Sequence, residues 1–273
     1  MTDDSQAPSI PDSARRWRKD LDSWAIPAEV LAAAPETPWA CPPALFSKSA
    51  EEAVAARGQA PSPSLRRALE ALPEGGSVLD VGVGGGAAGL PLCPPGATVT
   101  GVDQSPGMLA AFAALAERRG IGHAEVEGLW PAVASEVGPA DVVVCHHVLY
   151  NVRDLVPFLE ALTGHARRRV VVEVTAQHPQ AALNPLWKHF HGIDRPTRPT
   201  ALDAAALLRD LGLDVGVEPF EAPPHWAHDD RDVVAFTRRR LCLPAERDPE
   251  VAALLEVPGL RPQVTLWWPG GAS

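Results

Sequence analysis

Apolar residues along the chain fall into two alternating rhythms. Short runs rich in valine begin at Ser77 and recur at residues 97–102, 123–126, 141–145, 169–174, 213–220 and 264–268, each bounded by glycine, proline or polar residues. Runs of this length and composition predict seven strands. Between them the apolar positions move to helical spacing. A helix starts at Pro63 with Leu65, Leu69 and Leu72 inward and Gly75-Gly76 as its stop. Ser105 caps another, with Pro106 in its first position, Met108, Phe112 and Leu115 inward, and Gly120 at its end. Asp154 opens a third with Leu155, Phe158, Leu159 and Leu162 on one face, and further helices are expected at Asn184-Pro185 and over residues 203–211, 230–241 and 249–255. A short start is expected over residues 87–92, limited by Pro91, Pro94 and Pro95. Strands alternating with helices predict an α/β fold with a doubly wound sheet over residues 63–273.

Residues 1–62 read as an N-terminal extension. Residues 1–11 are polar and proline-bearing, the composition of a disordered start. From Asp12 a helix carries Trp17, Leu21 and Trp24 on one face, and residues 27–34 add a second. Pro35, Pro38, Pro42 and Pro43 then break the chain and leave Trp39 and Phe46 in a loop. These aromatics either pack the extension onto the main domain or form a lid over a small-molecule pocket.

The first strand runs into Gly82, Gly84, Gly85 and Gly86. A side chain there would hold the backbone away from a ligand, and such turns call for positive φ. The second strand ends in Asp103, 21 positions after Gly82, close to the offset of about 20 at which an acid meets a ribose in a dinucleotide-binding unit.

From Val78 to Gly86 the sequence resembles the first motif of the class I S-adenosylmethionine-dependent methyltransferases of the small-molecule, type 11/12-like kind, and Gly101 to Ser105 with Met108-Leu109 resembles the second. The resemblance covers residues 65–174. It implies a Rossmann-like sheet of seven strands, mostly parallel, with the last strand inserted antiparallel beside the sixth, behind an N-terminal helical extension. It implies S-adenosyl-L-methionine as cofactor and a small-molecule methyl acceptor as partner. Residue by residue, it gives Asp80 the methionine end of the cofactor, the turn Val81, Gly82, Gly84 and Gly86 the backbone contacts, Asp103 the ribose, and Gln104 and Met108 the flanks of the adenine. Backbone N–H groups of such a turn suit a carboxylate, and a nearby acid suits the ammonium and sulfonium charges. After the third strand the family often has an acid for the adenine amino group. Here the loop is Glu127-Gly128-Leu129-Trp130, so either Glu127 or backbone groups make that contact, with Leu129 or Trp130 on the base or Trp130 in the core.

The fourth strand ends in Cys145, which with His146 borders the expected cofactor site. Residues just past a strand's carboxyl end face the ligand crevice. His146 and His147 are therefore the candidate general bases, able to take a proton from a hydroxyl, amine or carboxylic acid. The alternatives are that one backs onto the cofactor while the other hydrogen-bonds behind it, or that the transfer needs no base. Tyr150, Glu173, His178, Trp187 and His191 are the candidate acceptor-binding residues, the last three within a long connection over residues 175–200 that is expected to cover the substrate.

Composition removes several classes. The net charge is -10 and no basic patch is evident, which disfavours a nucleic-acid substrate. The fourth strand does not end in Asn-Pro-Pro-aromatic, and Cys145 follows Val144 rather than a proline, against nucleobase or glutamine amino methylation and cytosine-C5 chemistry. Cys41, Cys93, Cys145 and Cys242 have no CxxC pairing, so free thiols are expected. His189 and His191 lie two apart on a predicted helix and point to different faces, and His225 and His228 stand alone, so no metal is expected. No leader or membrane span is seen, and a cytoplasmic location is expected. Arg238-Arg239-Arg240 reads as a solvated face. Two rivals stay open: an NAD(P)-dependent oxidoreductase, since Gly82, Gly84 and Ala87 also satisfy G-x-G-x-x-G/A, and a non-catalytic S-adenosylmethionine-binding module.

Overall fold

The computed structural model describes residues 10–39, 43–93, 96–223, 230–256 and 259–272. The expected disorder over residues 1–9, Cys41 and the His225–His228 stretch lie outside them. Seven strands form one sheet: β1 (Ser77–Val81), β2 (Thr98–Asp103), β3 (Gly122–Glu127), β4 (Ala140–His146), β5 (Ala166–Thr175), β6 (Gly216–Ala222) and β7 (Arg261–Pro269). Their order is β3-β2-β1-β4-β5-β7-β6. The pairings from β3 to β5 are parallel, and β7 runs antiparallel between β5 and β6. This is the doubly wound, mostly parallel sheet that the alternation predicted.

Side chains alternate between the sheet's faces. On one face Leu79, Val143, Val170 and Val172 pack against α1 (Asp12–Asp22), α6 (Leu155–His165) and α8 (Ala201–Asp210), with Trp17, Phe158 and Leu208 in the contact. On the other, Val78, Val142, Val144 and Val171 meet α3 (Pro43–Ala55), α4 (Pro63–Leu69) and α5 (Pro106–Arg118) through Ala50, Ala68 and Phe112. Ser105 caps α5 as expected, its hydroxyl accepting the Met108 N–H. A third apolar cluster joins α2 (Ala28–Ala32), α7 (Asn184–His191), α9 (Asp230–Arg240) and α10 (Asp248–Leu254), with Ile26, Trp187, Leu241 and Val251 at its centre.

Several local expectations are corrected. Phe46 lies in helix α3, not in a loop: once past Pro43, residues 43–55 hold no further helix breaker. The 87–92 stretch gives only a 3-10 turn at Leu90–Leu92. Helix α4 turns Ser64 and Ala68 to the sheet, with Leu65 and, beyond it, Leu72 packed against the same cluster as expected, and leaves Leu69 43% exposed. Arg238 is buried rather than solvated, and its guanidinium meets Glu36 and Asp248. In the extension, the Trp17 indole donates to the Val152 carbonyl at 2.9 Å and stacks on Tyr150, while Trp24 donates to the Arg198 carbonyl at 2.6 Å.

Candidate active site

In a parallel sheet wound on both sides, the loops after the strands gather along the carboxyl edge. The parallel register brings Asp103 level with Glu127 and His146 level with Glu173, so the candidate residues from β2, β3, β4 and β5 stand along one edge.

At β1 the chain turns through Gly82 at φ 75° and Gly84 at φ 50°, conformations open to glycine at no steric cost. Asp103 braces this turn. Its Oδ2 accepts the Gly84 N–H at 3.0 Å and its Oδ1 the Ser105 N–H at 2.9 Å. The glycines also admit the protein's own atoms: a Cβ on Gly82 would stand 2.4 Å from Val148 Cγ2, and one on Gly85 2.6 Å from the Phe46 carbonyl oxygen. Helix α3 therefore lies directly on the turn, a contact that no pattern in the sequence predicts.

Asp80 alternates onto the α3–α5 face and is 1% exposed. Its Oδ2 accepts the Gly89 N–H at 2.7 Å, and Oδ1 has no hydrogen-bond partner among the described residues. Burial, which the Gly89 hydrogen bond only partly offsets and the charge of Asp103 reinforces, pushes its carboxyl up to about 7. The result is a buried acid with one oxygen waiting for a donor or a cation.

At β4 and β5 the arrangement differs. His147 takes φ 59°, uncommon for a residue with a side chain, and its N–H donates to the Glu173 carbonyl at 2.7 Å. That bond turns the imidazole back over β5, where Nε2 lies 3.3 Å from Glu173 Oε1. Glu173 is 6% exposed. Burial alone would raise its carboxyl, yet the adjacent His146, and His147 with its hydrogen bond, outweigh burial and hold it far below the usual range. Glu173, expected on the acceptor side, is thus paired with His147.

Residues 79–172 match the family model of a methyltransferase domain. Over its whole fold the chain is similar to the YcgJ protein of Bacillus subtilis, with a TM-score of 0.53 at 14% identity over 77% of this chain and 99% of that one. It is also similar to the magnesium protoporphyrin IX methyltransferase of Synechocystis with bound S-adenosylhomocysteine, with a TM-score of 0.50 at 16% identity over 95% of this chain and all of that one. Residues 79–172 thus match a methyltransferase domain, and the fold around them is that of these methyltransferase structures. An uncharacterised protein of Haemophilus influenzae is 35% identical over 104 residues, which is 37% of this chain and 38% of that relative, so the match spans well under half of the relative's length.

The other expected residues fall into two groups in this methyltransferase domain. Gln104 and Glu127 are exposed, Met108 and Gly128 are half-buried, Gly86 is buried in the turn at φ 94°, and Leu129 is 62% exposed. Of the pair after β3, Leu129 is thus open while Trp130 fills core with its edge against His165. Val81 and Cys145 have fully buried side chains, which leaves their backbones alone to face a ligand.

The second group, expected on the acceptor side, makes contacts within the protein. Tyr150 donates its hydroxyl to the Thr175 carbonyl at 2.8 Å and is packed on Trp17. His178 stacks on Trp24 with centroids 3.9 Å apart, and burial, with Arg195 and Arg261 adding, lowers its imidazole to about 3. Trp187 is buried in the third cluster, and His191 Nε2 meets the Leu241 carbonyl at 2.7 Å. These side chains hold the N-terminal extension, α7 and α9 together, and the alternating strand pattern gave no means of telling such packing from a binding role. His189 pairs with Glu250 at 3.0 Å, away from His191's partner, and no cluster of metal-ligating residues occurs among the described residues. Missed by the sequence reading is Ser64, fully buried on α4 with its hydroxyl 2.6 Å from that of Thr265.

Proposed function

We propose that this chain transfers a methyl group from S-adenosyl-L-methionine to an oxygen or nitrogen of a small-molecule acceptor, with His147 as the proton acceptor and Glu173 behind it. The observation that carries the reading is the division of one sheet edge into a glycine turn braced by Asp103 and a strained histidine backed by a buried carboxylate. The residues suit the cofactor: Asp80 offers its orphaned Oδ1 to an ammonium, backbone N–H groups of the turn suit a carboxylate, and the lone pairs left on Asp103 suit ribose hydroxyls. Leu129 offers an apolar surface for the base. When bound, the cofactor supplies a methyl group made electrophilic by its sulfonium.

The protein's own share is placement and proton transfer. Nε2–H of His147 directed at Glu173 leaves Nδ1 as the basic nitrogen, and it takes the proton from the acceptor's O–H or N–H as that atom bonds to carbon. The Glu173 carboxylate then stabilises the imidazolium. A carbon nucleophile and base-free transfer are the readings this one displaces, since neither uses the His147–Glu173 pair.

Similarity to a magnesium protoporphyrin methyltransferase is similarity of fold and identifies no acceptor for this chain. Calorimetric titration with S-adenosylmethionine, S-adenosylhomocysteine and the nicotinamide dinucleotides tests the cofactor reading. The first two are expected to bind and the dinucleotides not to bind, and the reverse pattern would make the chain an oxidoreductase. Asp103→Ala is expected to weaken S-adenosylmethionine binding by about 1 to 3 kcal/mol, and an unchanged Kd sinks its role. Tight cofactor binding with no methyl transfer to any hydroxyl, amine or carboxylic acid tried would favour the non-catalytic module.

A further inference from the structure

We infer that Ser64 and Thr265 are positioning residues of this site: through hydrogen bonds they fix the Glu173 carboxylate so that it decides which nitrogen of His147 carries the proton. The inference rests on the methyl-transfer reading only for its catalytic meaning, since the geometry itself is independent of cofactor.

Four observations converge on it. Thr265 stands opposite Glu173 in the β5–β7 ladder, so the two side chains leave the sheet side by side on the face that α4 covers. Ser64 enters from α4 onto the same spot, with its hydroxyl 2.6 Å from that of Thr265, the residue opposite Glu173, and its hydroxyl is one of the influences that lower the Glu173 carboxyl. Ser64 and Thr265 are both fully buried. Glu173 Oε1 then meets His147 Nε2, while the His147 N–H is tied to the Glu173 carbonyl.

Direction follows from the chemistry of the groups. An ionised carboxylate only accepts, so the Ser64 proton points to Glu173 and the Thr265 proton is available to Ser64. With Ser64 donating to it, the carboxylate has lost its freedom to swing, and its remaining acceptor site is the one His147 uses. An imidazole facing a fixed acceptor keeps its proton on the facing nitrogen, here Nε2. Without Ser64 the carboxylate gains room to rotate toward Thr265 and loosens its hold on the ring. The chain of contacts crosses α4, β7, β5 and the turn after β4, and its members are separated by up to 201 positions in sequence.

Long-range ¹⁵N–¹H spectra of the cofactor-free protein at pH 8 read the His147 tautomers directly. The wild type is expected to show the Nε2–H form alone. Ser64→Ala and Thr265→Val are each expected to lower the Nε2–H to Nδ1–H ratio by roughly tenfold, the weight of one hydrogen bond to a charged group. Thr265→Ser, which keeps the hydroxyl, is expected to hold the wild-type ratio. A ratio unmoved in both Ser64→Ala and Thr265→Val overturns the inference, as does a Thr265→Ser spectrum that matches Thr265→Val. Thr265→Val is nearly isosteric, so it carries the test if Ser64→Ala disturbs α4. Titrating the same samples with S-adenosylmethionine separates the two claims. Binding together with a tautomer ratio unmoved by the substitutions overturns the positioning chain alone, and a ratio moved by them in a protein that binds no S-adenosylmethionine overturns the methyl-transfer reading alone.

Discussion

Asp80 and Glu173 are carboxylates on the same face of the same sheet, both sealed from water near its carboxyl edge, and the protein treats them oppositely. Asp80 receives one backbone N–H, from Gly89, and the charge that acts on it is that of Asp103, of the same sign. Glu173 has His147 at 3.3 Å, and His146 and Ser64 join it in lowering the carboxyl. Burial raises both carboxyls, and only Glu173 has partners enough to reverse it. The difference teaches what each half of the edge lacks. The β4–β5 half has assembled partners for its own carboxylate, whereas the β1–β2 half has left an acid to be completed by a cation, which is the demand an ammonium-bearing cofactor would meet.

The contrast breaks most easily at Asp80. A buried carboxyl raised from 3.8 to about 7 costs the fold on the order of 4 kcal/mol once pH exceeds the folded value. The sign runs against alkaline conditions: the folded pKa lies above the unfolded one, so the penalty is absent below about pH 4 and complete above about pH 7. Asp80→Asn is therefore expected to raise the melting temperature at pH 8, to leave it nearly unchanged at pH 4, and to weaken S-adenosylmethionine binding. Equal melting temperatures at pH 8 would mean that Asp80 already has its cation.

Glu173 sharpens the contrast with the opposite sign. Its folded pKa lies below the ordinary 4.5, so its stabilisation is present above that value and drains away as pH falls below it. Glu173→Gln is expected to cost about 1.5 to 3 kcal/mol at pH 7, the worth of hydrogen bonds to a charged group, and to flatten acid unfolding below pH 4.5. Parallel acid-unfolding curves for the two proteins would show that the carboxylate is not held by its neighbours.

The smallest effect tests the strained backbone. At φ 59°, His147→Gly removes a steric cost that His147→Ala keeps, so the glycine variant is expected to be about 1 kcal/mol the more stable in urea titration. The opposite order would place His147 in ordinary backbone.

Chain order alone determined much of this molecule. Valine-rich runs alternating with capped helices pointed to a sheet wound on both sides, because the central runs bury both faces and a parallel crossover needs a helix. The glycine turn and Asp103 were legible for a similar reason: the bonds that join them run between backbone groups and a side chain 19 to 21 positions apart, within one strand-helix-strand unit. His147 was visible as a residue just past a strand end, though not its left-handed backbone. What the tertiary structure decided is everything that depends on distant segments meeting. It set Tyr150, His178 and Trp187 to packing, since aromatic residues look alike in sequence whether they hold a helix or a ligand. It drew helix α3 onto the glycines, paired Glu173 with His147, and placed Ser64 beside Thr265. Those contacts follow from which faces close on one another, and burial, unlike periodicity, is a property of the folded chain alone.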